Sequence, residues 1–323
     1  MSKSESFSPL LTADGSFTFF SPEFAESFHS HFGARQESFL KFAVPTNLTQ
    51  QAHKTHLRIL DICYGLGYNT AAALETIWQS NPNCTVEIIA LELDQRVPQA
   101  AIQHHLFDNW SRDVKNIIKQ VAFDQKSVTS NANVILSLGD ARQTIQQVIT
   151  SGFSADAIFL DPFSPPRCPQ LWTIEFIAMV AKCLGKNGWL ATYSCAAAVR
   201  TALLNAGLVI GSTPPVGRKT PGTIAAYPQQ DLVSVKDHQN PQKNHQYMHG
   251  QMIDIPNFAI SPIPKEYNLS QSEIEHLHTK AAVPYRDPSL SASPEIIISR
   301  RQQEQENCHL EPTSHWRKRW NSG

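Results

Sequence analysis

The run Arg58-Ile-Leu-Asp-Ile-Cys-Tyr-Gly-Leu-Gly-Tyr-Asn-Thr70 constrains this chain more than any other stretch, because two glycines join an apolar strand to a small-residue helix. The strand carries an acid at Asp61, the turn uses Gly65 and Gly67, and the helix opens at Asn69 or Thr70 ahead of Ala71-Ala-Ala-Leu74. Glycines belong where the backbone turns sharply and a ligand approaches it closely. A dinucleotide fingerprint wants a third glycine where this chain has Thr70, and it has no use for an acid within the first strand.

Three more acids follow at expected strand ends. Val86 to Leu93 reads as a second strand ending at Glu92, 25 residues past Gly67, near the spacing at which a carboxylate meets ribose hydroxyls. Asn133 to Asp140 reads as a third, after which Asp140 and Ala141 open a helix beside an adenine amino group. Ala157 to Asp161 is a fourth, delivering Asp161 into the loop Pro162-Phe-Ser-Pro-Pro166. Carboxylates at the carboxyl ends of successive strands converge on one crevice. Together they point to S-adenosyl-L-methionine, with Asp61, Gly65 and Gly67 at its methionine portion, Glu92 on the ribose, Asp140 near the adenine, and Tyr64, Asn69 and Ala141 as further cofactor-binding residues.

Strands and helices alternate through residues 57–230. Helices are expected near 69–79, 95–107, 141–150, 171–184 and 196–206, and further strands at 188–194, from 208 and at 223–227. Such alternation predicts a mostly parallel sheet with helices on both faces, and a short last connection predicts an antiparallel final pair. Residues 1–50 form an amino-terminal extension, 51–230 the catalytic domain, and 231–323 an irregular linker followed by a helical tail. In the extension, 12–20 suits a hairpin and Ser21-Pro-Glu-Phe-Ala-Glu26 a capped helix start. In the tail, Ser270 with Glu273 makes a capping box. Trp316-Arg-Lys-Arg-Trp320 has the composition of an RNA contact and, more commonly, of a frayed terminus.

The 323 residues, 41% hydrophobic, suffice for one large core. Net charge is −1, so any nucleic-acid contact must be a local basic patch, for which Arg35, Arg218 and Lys219 are candidates. Six scattered cysteines with no Cys-x-x-Cys argue against a disulfide framework. No apolar run approaches a membrane span, and the amino terminus does not resemble a signal sequence, so a cytoplasmic protein is expected. His29 and His31 stand two apart without further ligands, and no metal is expected.

The segment Leu160-Asp-Pro-Phe-Ser-Pro-Pro-Arg-Cys-Pro-Gln-Leu-Trp172 carries the chemistry. Its prolines stiffen a loop beyond the sheet, Phe163 and Trp172 can stack on a base, and Asp161 can accept the proton that an amine must lose before methylation. With Asp14-Gly-Ser-Phe-Thr18, Glu23 to Ser30, Leu60 to Asn69, Gly188 to Gly207 and Val216-Gly-Arg-Lys219, this segment resembles the methyltransferase-domain family of tRNA 5-methylaminomethyl-2-thiouridine biosynthesis, the MnmC type. The likeness spans about residues 12–230. Asp161-Pro-Phe163 departs from the Asp-Gly-Phe of the bifunctional members and is similar to the stand-alone ones.

The resemblance implies a Rossmann-like class I S-adenosyl-L-methionine-dependent α/β fold with a mostly parallel seven-stranded sheet and an antiparallel last strand. It implies N-methylation of the 5-aminomethyl group of a wobble uridine in the tRNA anticodon stem-loop, with Asp161 as catalytic residue. A separate enzyme would make the aminomethyl group, since no second glycine fingerprint for a flavin oxidase is present. The same fold also hosts other amine methyl- and aminopropyltransferases and could survive as a non-catalytic RNA binder. The lean glycine turn and the four acids argue against these.

Overall fold

In a computed structural model, which describes residues 7–217, 220–230, 245–248, 251–254 and 259–320, the chain is built around one eight-stranded sheet. The strands are β1 (His56–Ile62), β2 (Thr85–Glu92), β3 (Lys126–Val128), β4 (Ala132–Leu138), β5 (Ala155–Leu160), β6 (Leu184–Thr192), β7 (Val209–Thr213) and β8 (Gly222–Ala226). Their spatial order is β7-β8-β6-β5-β1-β2-β4-β3. The central neighbours are parallel, whereas β8 runs antiparallel to both β6 and β7, as expected of the last pair.

The count of seven strands needs correction. The additional strand, β3, is a three-residue edge segment antiparallel to β4, set up by Gln125 in the left-handed conformation at φ 58°. The helix before it, at Arg112–Asp124, is a further addition to the expected elements. Its signal lies in Val114, Ile117, Ile118, Val121 and Ala122, which follow helical spacing and are all buried.

Helices α1 (Tyr68–Ser80), α2 (Arg96–Gln103), α3 (Arg112–Asp124), α4 (Ala141–Thr150), α5 (Ile174–Lys182) and α6 (Ala197–Asn205) cover the two sheet faces. Side chains alternate along β1: Leu57 and Ile59 join the core beneath α1 to α3, while Leu60 and Ile62 join the one beneath α4 to α6.

The amino-terminal segment forms the expected hairpin, Leu10–Leu11 pairing with Phe17–Thr18. The helix start expected at 21–26 is instead a tight hairpin, Phe20–Ser21 against Glu26–Ser27. Ser21 Oγ accepts from the Phe24 amide and Ala25 takes φ 51°, so the side chain closes a turn rather than capping a helix.

The carboxyl-terminal segment is docked. Its helices are α7 (Gln271–His276), α8 (Pro294–Asn307) and α9 (Thr313–Trp320), and the Ser270–Glu273 capping box is present. Two arginines on the catalytic domain tie it down. Arg200 pairs with Glu273 at 2.8 Å, and Arg142 pairs with the fully buried Asp287 at 2.9 Å. The basic end is not frayed: Trp316 stacks on His276 at 4.0 Å, and Arg319 bridges Glu275 and Glu311. Most of the linker expected from 231 lies outside the described residues.

Candidate active site

A cavity of about 470 Å³ opens at the carboxyl ends of β1, β2, β4 and β5. Its sheet-side wall brings together Gly65, Glu92, Asp140, Ala141 and Asp161. Phe163 reaches it from the proline loop. The opposite wall is contributed by the amino-terminal segment between Phe24 and Phe42.

Glu92 is held rigidly. Its carboxylate accepts from the amides of Gly65 at 2.7 Å, Leu93 at 2.8 Å and Asp94 at 2.9 Å. A carboxylate offers about four acceptor sites, so one remains for a ligand hydroxyl. Burial raises the pKa of Glu92, and these amides only partly offset it. Asp140 caps α4, accepting from the Arg142 amide and pairing with the Arg142 guanidinium at 2.6 Å. Arg142 also grips Asp287, so the carboxyl-terminal segment fixes the residue that holds Asp140.

Asp161 is half-buried at the cavity wall and accepts from Asn69 Nδ2 at 2.8 Å. Burial drives its pKa well above the usual carboxylate range. The Asn69 bond opposes this, the Asp61 and Glu37 charges add to it, and the Lys41 charge works against it. A carboxylate so placed is a stronger base than an exposed one and favours a cationic neighbour.

Asp61, Tyr64, Gly67 and Asn69 do not line the cavity; they lie behind it. The alternation of β1 turns Asp61 under α1, where it is fully buried and accepts from Thr70 Oγ1 at 2.7 Å. Burial pushes its pKa up to about 7. Gly65 and Gly67 take φ of 55° and 96°, and a Cβ on Gly67 would meet the Tyr64 hydroxyl at 2.6 Å. Asp61 Oδ1, Tyr64 Oη and Asn69 Oδ1 are buried polar atoms without a hydrogen-bond partner among the described residues. These atoms lie behind the turn; at the cavity itself the Gly65 backbone and the open acceptor site of Glu92 fit a polar ligand with its own donors and acceptors, as S-adenosyl-L-methionine has.

Four other expected site residues are placed elsewhere or lie outside the described part of the chain. Trp172 is fully buried in the core, its Nε1 donating to the Phe163 carbonyl at 2.8 Å. It braces the proline loop and cannot stack on a base. Arg35 does not reach the cavity; it pairs with Glu75 at 3.1 Å and lies over the Trp110 ring at 4.5 Å. Arg218 and Lys219 lie outside the described residues.

Sequence reasoning missed the opposite wall. Phe24 stacks on Phe163 at 4.4 Å between ring centroids, and Phe28 meets the same ring edge-on at 5.0 Å. Glu26 accepts from the amide and hydroxyl of Ser164, pinning the proline loop. Glu37 and Lys41 form an almost fully buried ion pair at 3.4 Å within the wall. The one available signal is the cluster of Phe, His and acidic residues at 23–32, whose destination no local pattern specifies.

A family model described as S-adenosyl-L-methionine-dependent methyltransferase matches residues 98–228. An uncharacterised protein of Methanocaldococcus jannaschii is 32% identical over 302 residues, covering 91% of this chain and 71% of that protein. The tRNA 5-methylaminomethyl-2-thiouridine biosynthesis bifunctional protein MnmC of Ralstonia nicotianae is 30% identical over 235 residues, covering 68% of this chain. The chain spans only 34% of that bifunctional protein's length. The crystal structure of MNMC2 from Aquifex aeolicus superposes with a TM-score of 0.72 at 28% identity, covering 94% of this chain and 86% of that one.

Proposed function

On the premise that the chain belongs to the S-adenosyl-L-methionine-dependent methyltransferase family that includes the MnmC methyltransferase domains, with S-adenosyl-L-methionine as its cofactor, we propose that it methylates the amino nitrogen of 5-aminomethyl-uridine at the wobble position of tRNA. The product is 5-methylaminomethyl-(2-thio)uridine. The observation that carries this reading is Asp161, a half-buried carboxylate of raised pKa held by Asn69 at the edge of an acid-lined cavity.

The cofactor supplies a methyl group on a positively charged sulfur. Glu92, with its one open acceptor site, would hold a ribose hydroxyl, Asp140 and Ala141 would meet the adenine, and the Gly65–Gly67 turn, with Asp61, Tyr64 and Asn69 behind it, would receive the methionine portion. Asp161 orients the substrate amine and takes its proton, which frees the nitrogen lone pair. Phe163, propped by Phe24 and Phe28, gives the flipped-out base a face to lie on. Gly217, which precedes Arg218 in sequence, packs on Phe32 at the cavity, so the basic pair Arg218-Lys219 is our candidate for the phosphate contact. The amino-terminal extension through residue 50 supplies the substrate wall, residues 51–230 the cofactor wall, and the segment from 231 a brace. A separate enzyme provides the aminomethyl group, and the site of action is the cytoplasm.

Single-turnover methylation of tRNA bearing 5-aminomethyl-uridine, followed by mass spectrometry of its nucleosides, tests the reading. One added methyl on the wobble nucleoside is expected. A protein that binds the cofactor yet leaves this tRNA unmodified would refute the substrate.

A further inference from the structure

The wall opposite the sheet contains a buried lysine whose ion pair leaves part of its hydrogen-bonding capacity unused. Lys41 is 2% exposed yet contributes to the cavity's lining. It sits on a π-helical turn, Ser38–Ala43, closed by the Val44 amide donating to the Phe39 carbonyl at 2.8 Å. Such wide turns are frequent at functional sites. Burying an ammonium is costly unless it is paired and hydrogen-bonded.

Lys41 is paired but not saturated. Its ion partner among the described residues is Glu37 Oε1 at 3.4 Å, and Glu37 is already engaged by the hydroxyl and amide of Ser30. An ammonium has three donors. At least two therefore remain for whatever enters the cavity, which asks for an acceptor oxygen. Glu37 decides what kind. Its charge makes the pair neutral overall, and burial would raise its pKa, yet the Lys41 charge and the Ser30 bonds hold it below the ordinary value. A carboxylate or phosphate on Lys41 would face the ionised Glu37, whereas a carbonyl oxygen is not repelled. Lys41 and Asp161 line the same cavity, one from each wall. In a uracil carrying an aminomethyl group at C5, the nearest ring acceptor to that amine is O4, on the adjacent carbon.

We propose, building on the reading of 5-aminomethyl-uridine as substrate, that Lys41 donates a hydrogen bond to O4 of the uracil ring and so selects a 4-oxo pyrimidine whose amine lies on Asp161. A 4-amino pyrimidine presents a donor at that position, which leaves the buried ammonium facing another N–H. Sites built around a buried hydrogen bond reject such analogues strongly.

The test compares two anticodon stem-loop oligonucleotides, one with 5-aminomethyl-uridine and one with 5-aminomethyl-cytidine at the same position. Wild type is expected to prefer uridine by at least about 10-fold in kcat/KM. Lys41→Met should lower the uridine rate by about 30-fold or more while changing the cytidine rate far less, so that the preference collapses. Lys41→Arg should restore part of it. Because Lys41→Met leaves Glu37 without its cation, the double variant Lys41→Met with Glu37→Gln is measured alongside, with unfolding curves for each, and the same collapse is expected. Calorimetry with S-adenosyl-L-methionine alone should give wild-type affinity in both. A preference retained in both variants overturns the proposal, as does a tenfold loss of cofactor affinity, which would assign Lys41 to the cofactor's carboxylate. Wild type that methylates neither oligonucleotide while still binding cofactor removes the substrate reading itself and this proposal with it.

Discussion

The two walls of the cavity are built by different means. The sheet-side wall consists of strand ends and helix caps, its carboxylates fixed by amides only one, two or 27 residues away: Leu93, Asp94 and Gly65 around Glu92. The opposite wall is a loop, a two-residue ladder and a π-helical turn, and it holds its shape by aromatic packing of Phe24 and Phe28 on Phe163 and by the Glu37–Lys41 pair. One wall is preorganised by backbone geometry, the other by side chains. We therefore assign the shared cofactor to the first and the particular substrate to the second.

The comparison breaks most readily at Asp161, which stands on the sheet-side wall but is assigned to the substrate. Asp161→Asn keeps the shape and the Asn69 contact while removing the negative charge. Turnover in single-turnover methylation should fall about 100-fold or more, with tRNA affinity changed much less. Equal rates at neutral pH would return Asp161 to a purely structural role.

Glu92→Ala tests the wall's backbone-built half. It leaves the Gly65, Leu93 and Asp94 amides without their acceptor, so calorimetry should show cofactor binding weakened by about 1–3 kcal/mol. Unchanged affinity in a folded protein would mean that the turn holds the cofactor without Glu92.

The buried acids give the sheet-side wall a pH signature. Asp61, Glu92 and Asp161 are all held above their ordinary pKa by burial. Each binds its proton more tightly folded than unfolded, so the contribution of these three to the stability of the cofactor-free protein is greatest in acid and is lost as pH rises, opposite in sign to that of Glu37 and Asp287, which the fold holds below their ordinary value. For Asp61 that decline falls between about pH 4 and 7. Across this window the thermal unfolding midpoint of wild type should fall relative to that of Asp61→Asn. A cationic cofactor favours the ionised forms of Glu92 and Asp161, which line the cavity, so its affinity should rise with pH. Parallel rather than opposite trends would show that these acids do not face the cofactor.

The smallest effect is expected from Phe24→Ala, on the other wall. Removing the ring stacked on Phe163 should raise KM for tRNA a few-fold, on the order of 1 kcal/mol, and leave cofactor affinity alone. Loss of cofactor affinity instead would show that the walls are not separable.

The two walls also differ in how far the amino-acid sequence reveals them. Glycine turns, strand-end acids and the apolar runs before them obey spacing rules, and those rules alone bring Gly65, Glu92, Asp140 and Asp161 to one crevice. Asp61 follows the same rules, but its side is set by the alternation of β1, which buries it under α1 rather than in the cavity. Trp172 and Arg35 show the limit of reading a residue type: the first is buried in the core and the second is paired with Glu75. Lys41 has no local signal, because what makes it notable is burial, and burial is decided by segments distant in sequence.

Arg142 bears on how such a catalytic unit can be moved about as a module. The family match ends at residue 228, yet Asp287, 145 residues beyond Arg142, completes the clamp on the cap of α4. In evolutionary terms the portable unit is larger than the stretch the family model covers, in keeping with the 91% and 94% of the chain matched by the Methanocaldococcus protein and the Aquifex structure. A gene fusion that joins another enzyme near residue 230 must bring its own anion to Arg142, or leave Asp140 to hold the whole guanidinium and become a poorer partner for anything else.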